Sequence, residues 1–203
     1  MRKVFYSFHY KGDAWRAGQV RNHNKIADED EYGVIDAVEW EQIERQGTMA
    51  IENWINKQLK FTSVTVVLIG AETFSRPWVI YEIKESWKRG NAILGLYVHA
   101  VKDQKQQHST KGPNPLDNVK FTDGTALSSV CCTYDWVIDN GRENLGQWVE
   151  DAYQTRLSMK EKKDIDESSG KGGSGNIPGR HVPPPPAPGP RTPPVPPRRR
   201  EVG

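Results

Sequence analysis

The sequence predicts an α/β fold, in which a single domain has a mainly parallel sheet with helices on both faces. Short runs rich in β-branched and aromatic residues alternate with longer segments whose apolar residues recur every three or four positions. Two of the runs, residues 64–69 and 93–98, are almost wholly apolar, as expected for strands that are covered on both faces. Strands and helices that alternate along a chain are typical of parallel α/β sheets.

The first half of the chain opens with a strand at residues 4–8, VFYSF, where β-forming residues predominate. The polar stretch 9–32 has no clear period, so we predict a loop that contains at most a short helix. Residues 33–36 are predicted as a short strand or a turn. A helix is predicted within residues 41–60, because the apolar side chains of its second half share one face: Ile51, Trp54, Ile55 and Leu59.

The second half begins with the buried strand at 64–69, after which a helix is predicted from Ser75 to Gly90. Ser75 is a suitable N-cap, Pro77 fits the first turn, and Gly90 is a suitable stop. After the strand at 93–98, residues 99–128 are polar and predicted as loop. A last strand is predicted at 130–134, followed by an amphipathic helix with apolar residues at Leu145, Trp148, Val149, Ala152, Tyr153 and Leu157.

Composition divides the chain at about residue 160. Residues 165–203 contain 11 of the 14 prolines and none of the aromatic residues, so they cannot build a hydrophobic core. We therefore predict a domain at residues 1–160 and a flexible, disordered Gly/Pro-rich tail at 161–203. Within the tail, residues 193–198 (PPVPPR) fit the PxxPxR pattern that SH3-like grooves bind.

Several classes of protein are disfavoured by the composition. No apolar run approaches the ~20 residues of a membrane helix, and the N-terminus is too polar for a signal peptide. The adjacent Cys131 and Cys132 favour reduced thiols, so we expect a cytoplasmic protein without a membrane partner. The basic excess lies in the tail and the domain is near neutral, which argues against a nucleic-acid partner. No GxGxxG motif occurs in residues 1–160, where it would have to follow a predicted strand, and this argues against a Rossmann dehydrogenase. The first strand is not followed by an acidic pair, which disfavours a receiver domain.

The polar residues that follow the first two strands of the sheet indicate where a ligand would bind. Residues 7–9 leave the first strand and residues 70–73 leave the 64–69 strand, both at the carboxyl edge of the sheet. In open parallel sheets the ligand crevice lies outside that edge. Arg76, Trp78 and Glu82, early in the next helix, are therefore expected near the crevice.

One stretch resembles a known family. From Val64 to Glu82, VTVVLIGAETFSRPWVIYE resembles the signature of TIR domains, in which a WxxxE pattern opens a helix after a buried strand. The first strand, VFYSFHY, is similar to the first box of that family. The residues VRNH at 20–23, TSVT at 62–65 and KGPNP at 111–115 extend the resemblance to the ThsB-like TIR proteins of the bacterial Thoeris anti-phage system. It spans roughly residues 1–155 and implies a TIR-like, flavodoxin-like domain.

The resemblance implies an enzyme that cleaves the nicotinamide–ribose bond of NAD and makes a cyclic ADP-ribose-type signal. In the family that signal activates a separate effector protein, and a phage-derived trigger and TIR self-association are implied as well. The family's catalytic glutamate corresponds to Glu82. NAD is the substrate, so neither a cofactor nor a metal is expected. One carboxylate suffices, because nicotinamide leaves as a neutral base and a carboxylate stabilises the positive charge of the oxocarbenium-like state.

Further residues are expected to bind the substrate at the edge of the first strand. Phe8 or Tyr10 can stack on nicotinamide or adenine. His9 is either a loop histidine or a ligand contact. Arg76, near a helix N-terminus, can meet a pyrophosphate or remain a surface charge.

Three more residues complete the predicted substrate-binding set. Trp78 lies four residues before Glu82, so the two share a helix face, where Trp78 either packs or lines the site. Asn22 lies in a polar segment that either closes over the site or caps a helix. Trp40 falls where TIR domains have the BB loop, which serves assembly and substrate access in the family. Glu85 is the nearest rival carboxylate and is expected at the surface.

Two alternative functions remain open at the level of sequence. The first is a non-catalytic TIR adaptor that acts by self-association, for which exposed helices would be the interfaces. The second is an enzyme like the nucleoside deoxyribosyltransferases, which use a related α/β fold and a glutamate on a glycosidic bond.

Overall fold

The computed structural model describes residues 2–23, 42–159 and 164–170. The strand or turn predicted at 33–36, the candidate Trp40 and the predicted tail beyond residue 170 lie outside the described residues.

A parallel sheet of four strands forms the centre of the described part of the chain. The strands are β1 (Val4–Phe8), β2 (Val64–Ile69), β3 (Ala92–Tyr97) and β4 (Thr133–Asp135), and they lie side by side in that order. Each pairs in parallel with its neighbour. The predicted α/β fold is therefore confirmed.

Helices connect the strands. Their bounds are α1 Tyr10–His23, α2 Thr48–Leu59, α3 Pro77–Lys88, α4 Pro115–Asn118 and α5 Gly141–Ser158, with single 3₁₀ turns at Thr73–Ser75 and Leu127–Ser129. The fourth strand begins three residues later than predicted. Cys131 is not in the sheet, because its N–H bonds to the carbonyl of Leu127 in the turn before the strand.

Both faces of the sheet are covered, as predicted. Alternate residues of a strand point to opposite faces. Val64, Val66 and Leu68 of β2 belong to a core cluster with residues of α1 and α5, whereas Val67 and Ile69 pack in another with residues of α3. A third cluster packs α2 against β1, the first strand in the order of the sheet, and its buried members are Phe5, Ile51, Ile55 and Leu59.

The prediction of a loop after the first strand was wrong, since residues 10–23 form helix α1. Its buried positions have helical spacing, but two of them are charged: Asp13 and Arg16, followed by Ala17 and Val20. The Arg16 guanidinium lies 3.5 Å from the Asp13 carboxylate and donates to the carbonyls of Val101 at 2.8 Å and Gln107 at 3.2 Å. Buried charges that are satisfied by distant parts of the chain leave no apolar period in the sequence.

The loops that leave the carboxyl edge of the sheet are packed closely because two glycines allow it. A Cβ at Gly70 would collide with the Asp13 carboxylate, and a Cβ at Gly112 would collide with the carbonyl oxygens of Gly70 and Ala71. Gly112 opens the GPNP sequence, in which the Asn114 side chain caps α4 by accepting from the N–H of Leu116 at 3.0 Å. This sequence therefore fixes the loops beside the predicted crevice.

Replacing Gly112 by alanine is expected to destabilise the protein by about 1–3 kcal/mol, because backbone rather than a flexible side chain would have to move. Thermal unfolding measures the change. The matched control is Gly18→Ala in α1, where a Cβ meets nothing within 4 Å. That control should stabilise the protein by about 0.5–1 kcal/mol through its helix propensity. Equal stabilities of the two variants would contradict the close packing of these loops.

Residues 164–170, which we call the strap, lie against the domain. Ile165 is 8% exposed and forms an antiparallel bridge with Phe121. The buried Lys84 of α3 donates from its ammonium to the carbonyls of Glu167 and Ser169, at 2.8 and 2.7 Å. The division of the chain at residue 160 stays a prediction, and these contacts show that part of the predicted tail touches the helix that contains Glu82.

Candidate active site

Glu82 lies in the second turn of α3 and faces β1. It is only 8% exposed. The fully buried Ser7 donates a hydrogen bond from its Oγ to Glu82 Oε2 over 2.6 Å. Ser7 pairs with Val67 in the sheet, and both side chains point to the face that α3 covers. Ser7 and Glu82 therefore meet between β1 and α3, because the Ser7 side chain points to the face of the sheet that α3 covers.

Burial raises the pKa of Glu82 to about 8, and the hydrogen bond from Ser7 acts in the opposite direction. A carboxyl group with this pKa is mostly protonated at pH 7 in the unliganded protein. A cationic ligand nearby favours the ionised form and lowers the pKa. The site can thus hold a proton when it is empty and present a carboxylate when a positively charged group binds.

The two carboxyl oxygens of Glu82 have different surroundings. Oε2 accepts from Ser7, whereas Oε1 has no hydrogen-bond partner among the described residues. Oε1 is also not one of their enclosed polar atoms without a partner, so it faces accessible space. One oxygen is therefore held by the fold and the other is free to meet a ligand.

Trp78, one turn before Glu82, packs against the cluster that includes Phe5 and Ile55. Its ring contacts Tyr81 edge to face, with centroids 5.9 Å apart. Since the Trp78 side chain is only half-buried, packing and lining a site are compatible roles. The rival carboxylate, Glu85, is bound to Lys88 at 2.9 Å on the outer side of the helix.

His9 and Arg76 come together at the carboxyl edge through Glu72. Arg76 forms an ion pair with Glu72, and His9 Nδ1 lies 3.9 Å from the same carboxylate. Burial, assisted by the positive charges of Arg76 and Lys11, lowers the pKa of His9 to about 4. His9 is therefore neutral at pH 7, and it can donate or accept a hydrogen bond without adding charge. Arg76 Nε is enclosed and has no hydrogen-bond partner in the described part of the chain.

The remaining predicted residues are less closely grouped with Glu82. Phe8 follows Ser7 and so points to the other face of the sheet, where it packs on the cluster of α1 and α5. Tyr10 stacks on Phe8 with centroids 6.2 Å apart. Asn22 is exposed near the end of α1. The structure therefore brings Ser7 to Glu82 and His9 to Arg76.

Ser7 was not among the predicted site residues. The sequence does contain an indication of it, since Ser7 is a polar residue at an inward position of an otherwise apolar and aromatic strand. Asp13 was missed as well. Its carboxylate lies against Gly70 at the same edge of the sheet. Burial raises the pKa of Asp13, and Arg16 acts in the opposite direction.

The described ranges contain no group of three or more His, Cys, Asp or Glu side chains that could hold a metal ion. Cys131 and Cys132 are both free thiols. None of the helices in these ranges has the length and apolar character needed to cross a membrane.

Comparison with known proteins gives two matches. Residues 5–103 match the family model described as "Thoeris protein ThsB, TIR-like domain". The chain is also similar to a protein of Bacillus cereus (strain MSX-D12) named "Putative cyclic ADP-D-ribose synthase ThsB1". The two are 35% identical over 190 residues, an alignment that covers 73% of this chain and 98% of the relative. Residues 5–103 contain α3 and all of β1 except Val4, so both Ser7 and Glu82 lie within the match to the family model.

Proposed function

The chain belongs to the family of TIR-like ThsB proteins of the Thoeris anti-phage system, and on that premise we propose that it consumes NAD and makes a cyclic ADP-ribose-type signal. The observation that carries the proposal is the similarity to a relative named for cyclic ADP-D-ribose synthesis, across nearly the whole length of that relative. The geometry around Glu82 supports the same chemistry, because it supplies one buried carboxyl group with an open oxygen at the predicted edge of the sheet.

The first step of the proposed reaction breaks the bond between nicotinamide and ribose. The nicotinamide ring of NAD carries a positive charge, which favours the ionised form of Glu82 as NAD binds. As the bond breaks, the electron pair stays with nicotinamide, which leaves as a neutral base. The positive charge moves to the ribose, where the carboxylate stabilises it. Because the site is poorly solvated, this electrostatic interaction is stronger than it would be in water.

The second step closes a ring. A nucleophilic atom of the ADP-ribose part attacks the anomeric carbon that nicotinamide has left. Water at that carbon would give open ADP-ribose instead, so the cyclic product requires that water is excluded. Candidates for closing the site are the neutral His9 and the half-buried Trp78. Arg76 is proposed to bind the pyrophosphate, which requires that its guanidinium leaves Glu72 for the phosphate oxygens.

The product would act at a distance. A diffusible nucleotide lets this chain activate a separate effector protein without binding it, and a phage-derived trigger would start synthesis. Self-association of TIR-like domains is a further proposed partner interaction. The PxxPxR sequence at residues 193–198 is proposed as a ligand for an SH3-like groove, independently of the NAD chemistry.

The proposal is tested by mass spectrometry of nucleotides from phage-infected cells that express the full chain. We expect free nicotinamide and a cyclic ADP-ribose isomer to accumulate and NAD to fall. Purified protein is assayed in parallel with NAD and with deoxynucleosides. Turnover of deoxynucleosides but not NAD would favour the deoxyribosyltransferase alternative. Protection against phage without any NAD-derived product would favour the adaptor alternative.

A further inference from the structure

Ser7 joins the first strand to the helix that contains Glu82. Both side chains are buried, and their oxygens are 2.6 Å apart although the residues are 75 positions apart in the chain. Within the described part of the chain, this hydroxyl is the hydrogen-bond donor to the Glu82 carboxyl group. A buried hydroxyl with one well-placed acceptor has little freedom to rotate, so it constrains the carboxyl group as well.

We propose that Ser7 is a positioning residue for Glu82, which holds Oε2 against β1 so that Oε1 is presented to the ribose of NAD. This inference rests on the proposed function. Ser7 does not touch the reacting atoms, and it acts only through the carboxylate. A hydrogen bond from a neutral hydroxyl is stronger when its acceptor is ionised, so Ser7 also favours the charged form that the reaction needs.

The electrostatics of the site make Ser7 the main group that opposes the desolvation of Glu82. Burial raises the pKa of Glu82, and the Ser7 hydrogen bond is the influence that lowers it. The charged side chains near α3 have other partners. Glu72 forms an ion pair with Arg76, and both Glu85 and Glu167 form ion pairs with Lys88. Lys84 donates to carbonyls of the strap, and burial together with the charges of Glu52 and Asp117 raises the pKa values of Tyr81 and Tyr97, respectively.

Replacing Ser7 by alanine should therefore move the pH dependence of the reaction. The acid limb of kcat/KM reports the free enzyme, so in the wild type it should have its midpoint near pH 8. Loss of the hydroxyl should shift that midpoint upward by about one pH unit. Activity would fall about tenfold at pH 7 and recover at alkaline pH. Ser7→Thr keeps the hydroxyl and should restore a midpoint near that of the wild type.

A matched control distinguishes positioning from a merely structural role. Ser86 lies on the same helix and is equally buried, and its hydroxyl is hydrogen-bonded to that of Thr65 of β2 over 2.8 Å rather than to the Glu82 carboxyl group. Ser86→Ala removes a similar buried hydrogen bond between strand and helix. We expect it to lower the melting temperature but to leave the pH midpoint of kcat/KM unchanged.

A second measurement does not depend on activity. The free energy of unfolding is measured against pH for the wild type, Ser7→Ala, Glu82→Gln and the double variant. In the wild type, the free energy of unfolding should fall as pH rises, until the pH passes the pKa of Glu82 in the folded state. Because Ser7→Ala should raise that pKa, the fall should continue to a higher pH in this variant. With glutamine at position 82, the effect of Ser7→Ala should no longer depend on pH.

The outcomes separate the two proposals. Unchanged pH midpoints for Ser7→Ala, in both the kinetics and the unfolding experiment, would overturn the role of Ser7. Midpoints that also shift in Ser86→Ala would reduce that role to general packing and overturn it too. If the unfolding midpoint shifts but neither the wild type nor any variant releases nicotinamide, even in extract of phage-infected cells, the hydroxyl does control the carboxyl group. In that case the proposed function fails, and the role of Ser7 in catalysis fails with it.

Discussion

Replacing Glu82 by glutamine is expected to abolish nicotinamide release from NAD and, at the same time, to stabilise the fold. Glutamine has nearly the same shape, and its carbonyl oxygen can still accept the hydrogen bond from Ser7. It cannot carry the negative charge that stabilises the oxocarbenium-like state. Loss of a single preorganised electrostatic group costs about 10²–10³ in kcat in other enzymes. We expect a loss at least that large, measured as nicotinamide released per minute.

The gain in stability follows from the pKa of Glu82. Glutamate titrates near 4.5 when it is exposed, and in the folded protein the pKa is about 8. Between these values the folded state holds a proton that the unfolded state has lost, so wild-type stability falls as pH rises through that window. Glutamine does not titrate. The stability difference in favour of Glu82→Gln should therefore grow from about pH 4.5 to about pH 8 and then level off, at a few kcal/mol.

Glu85→Gln is the matched control for this prediction. Glu85 is the next carboxylate on α3, and it is paired with Lys88 on the outer side of the helix. We expect wild-type nicotinamide release and no gain in stability at alkaline pH. Full activity of Glu82→Gln would contradict the catalytic assignment, whereas a variant less stable than the wild type above pH 8 would contradict the buried, protonated state.

Ending the chain after Lys163 is expected to destabilise the protein, whereas ending it after Lys171 is not. The shorter chain lacks the strap. Phe121 would lose the cover of Ile165, and the buried Lys84 would lose two carbonyl acceptors. Burial of an isoleucine is worth about 1.5–3 kcal/mol, and the loss of two carbonyl acceptors by a buried ammonium group adds to the destabilisation.

Thermal unfolding and NAD turnover of the two truncated chains measure this effect. We expect the melting temperature to fall by roughly 4–8 °C when the strap is absent. Turnover should fall as well, because the strap contacts α3, the helix that contains Glu82. Equal melting temperatures for the two end points would show that the strap contributes nothing and that the domain ends near residue 160.

The regular parts of the fold were predictable because their physical causes are local. The two apolar strands β2 and β3 and the helix that begins at Pro77 follow from hydrophobic period and from the proline at the first helical position, which neighbouring residues determine. The predicted N-cap was wrong, because Arg76 occupies that position and the Ser75 hydroxyl donates to the carbonyl of Glu72 instead. Helix α1 could not be predicted in the same way. Its buried face contains Asp13 and Arg16. Arg16 donates hydrogen bonds to the Asp13 carboxylate and to carbonyls 85 and 91 residues away along the chain.

The edge of the sheet at which Phe8 lies was predicted, but the face to which its side chain points was not. The sequence placed it at the carboxyl edge of the first strand beside Ser7. Alternation along β1 then turns Ser7 towards α3 and Phe8 towards the opposite face, and only the pairing of the strands shows which face is which. The sequence shows that Ser7 and Phe8 point to opposite faces, because they are adjacent in a strand. It does not show which of the two faces α3 covers.

Contiguous residues were enough to predict the fold class and the family resemblance and to single out Glu82 as the candidate catalytic carboxylate, because strand and helix periods and the WxxxE motif are local properties. The protonation of Glu82, in contrast, follows from how the chain packs. Its pKa depends on the water removed from around it and on the hydroxyl that reaches it from β1. Desolvation and long-range hydrogen bonds exist only once the chain is packed, so no local pattern encodes them.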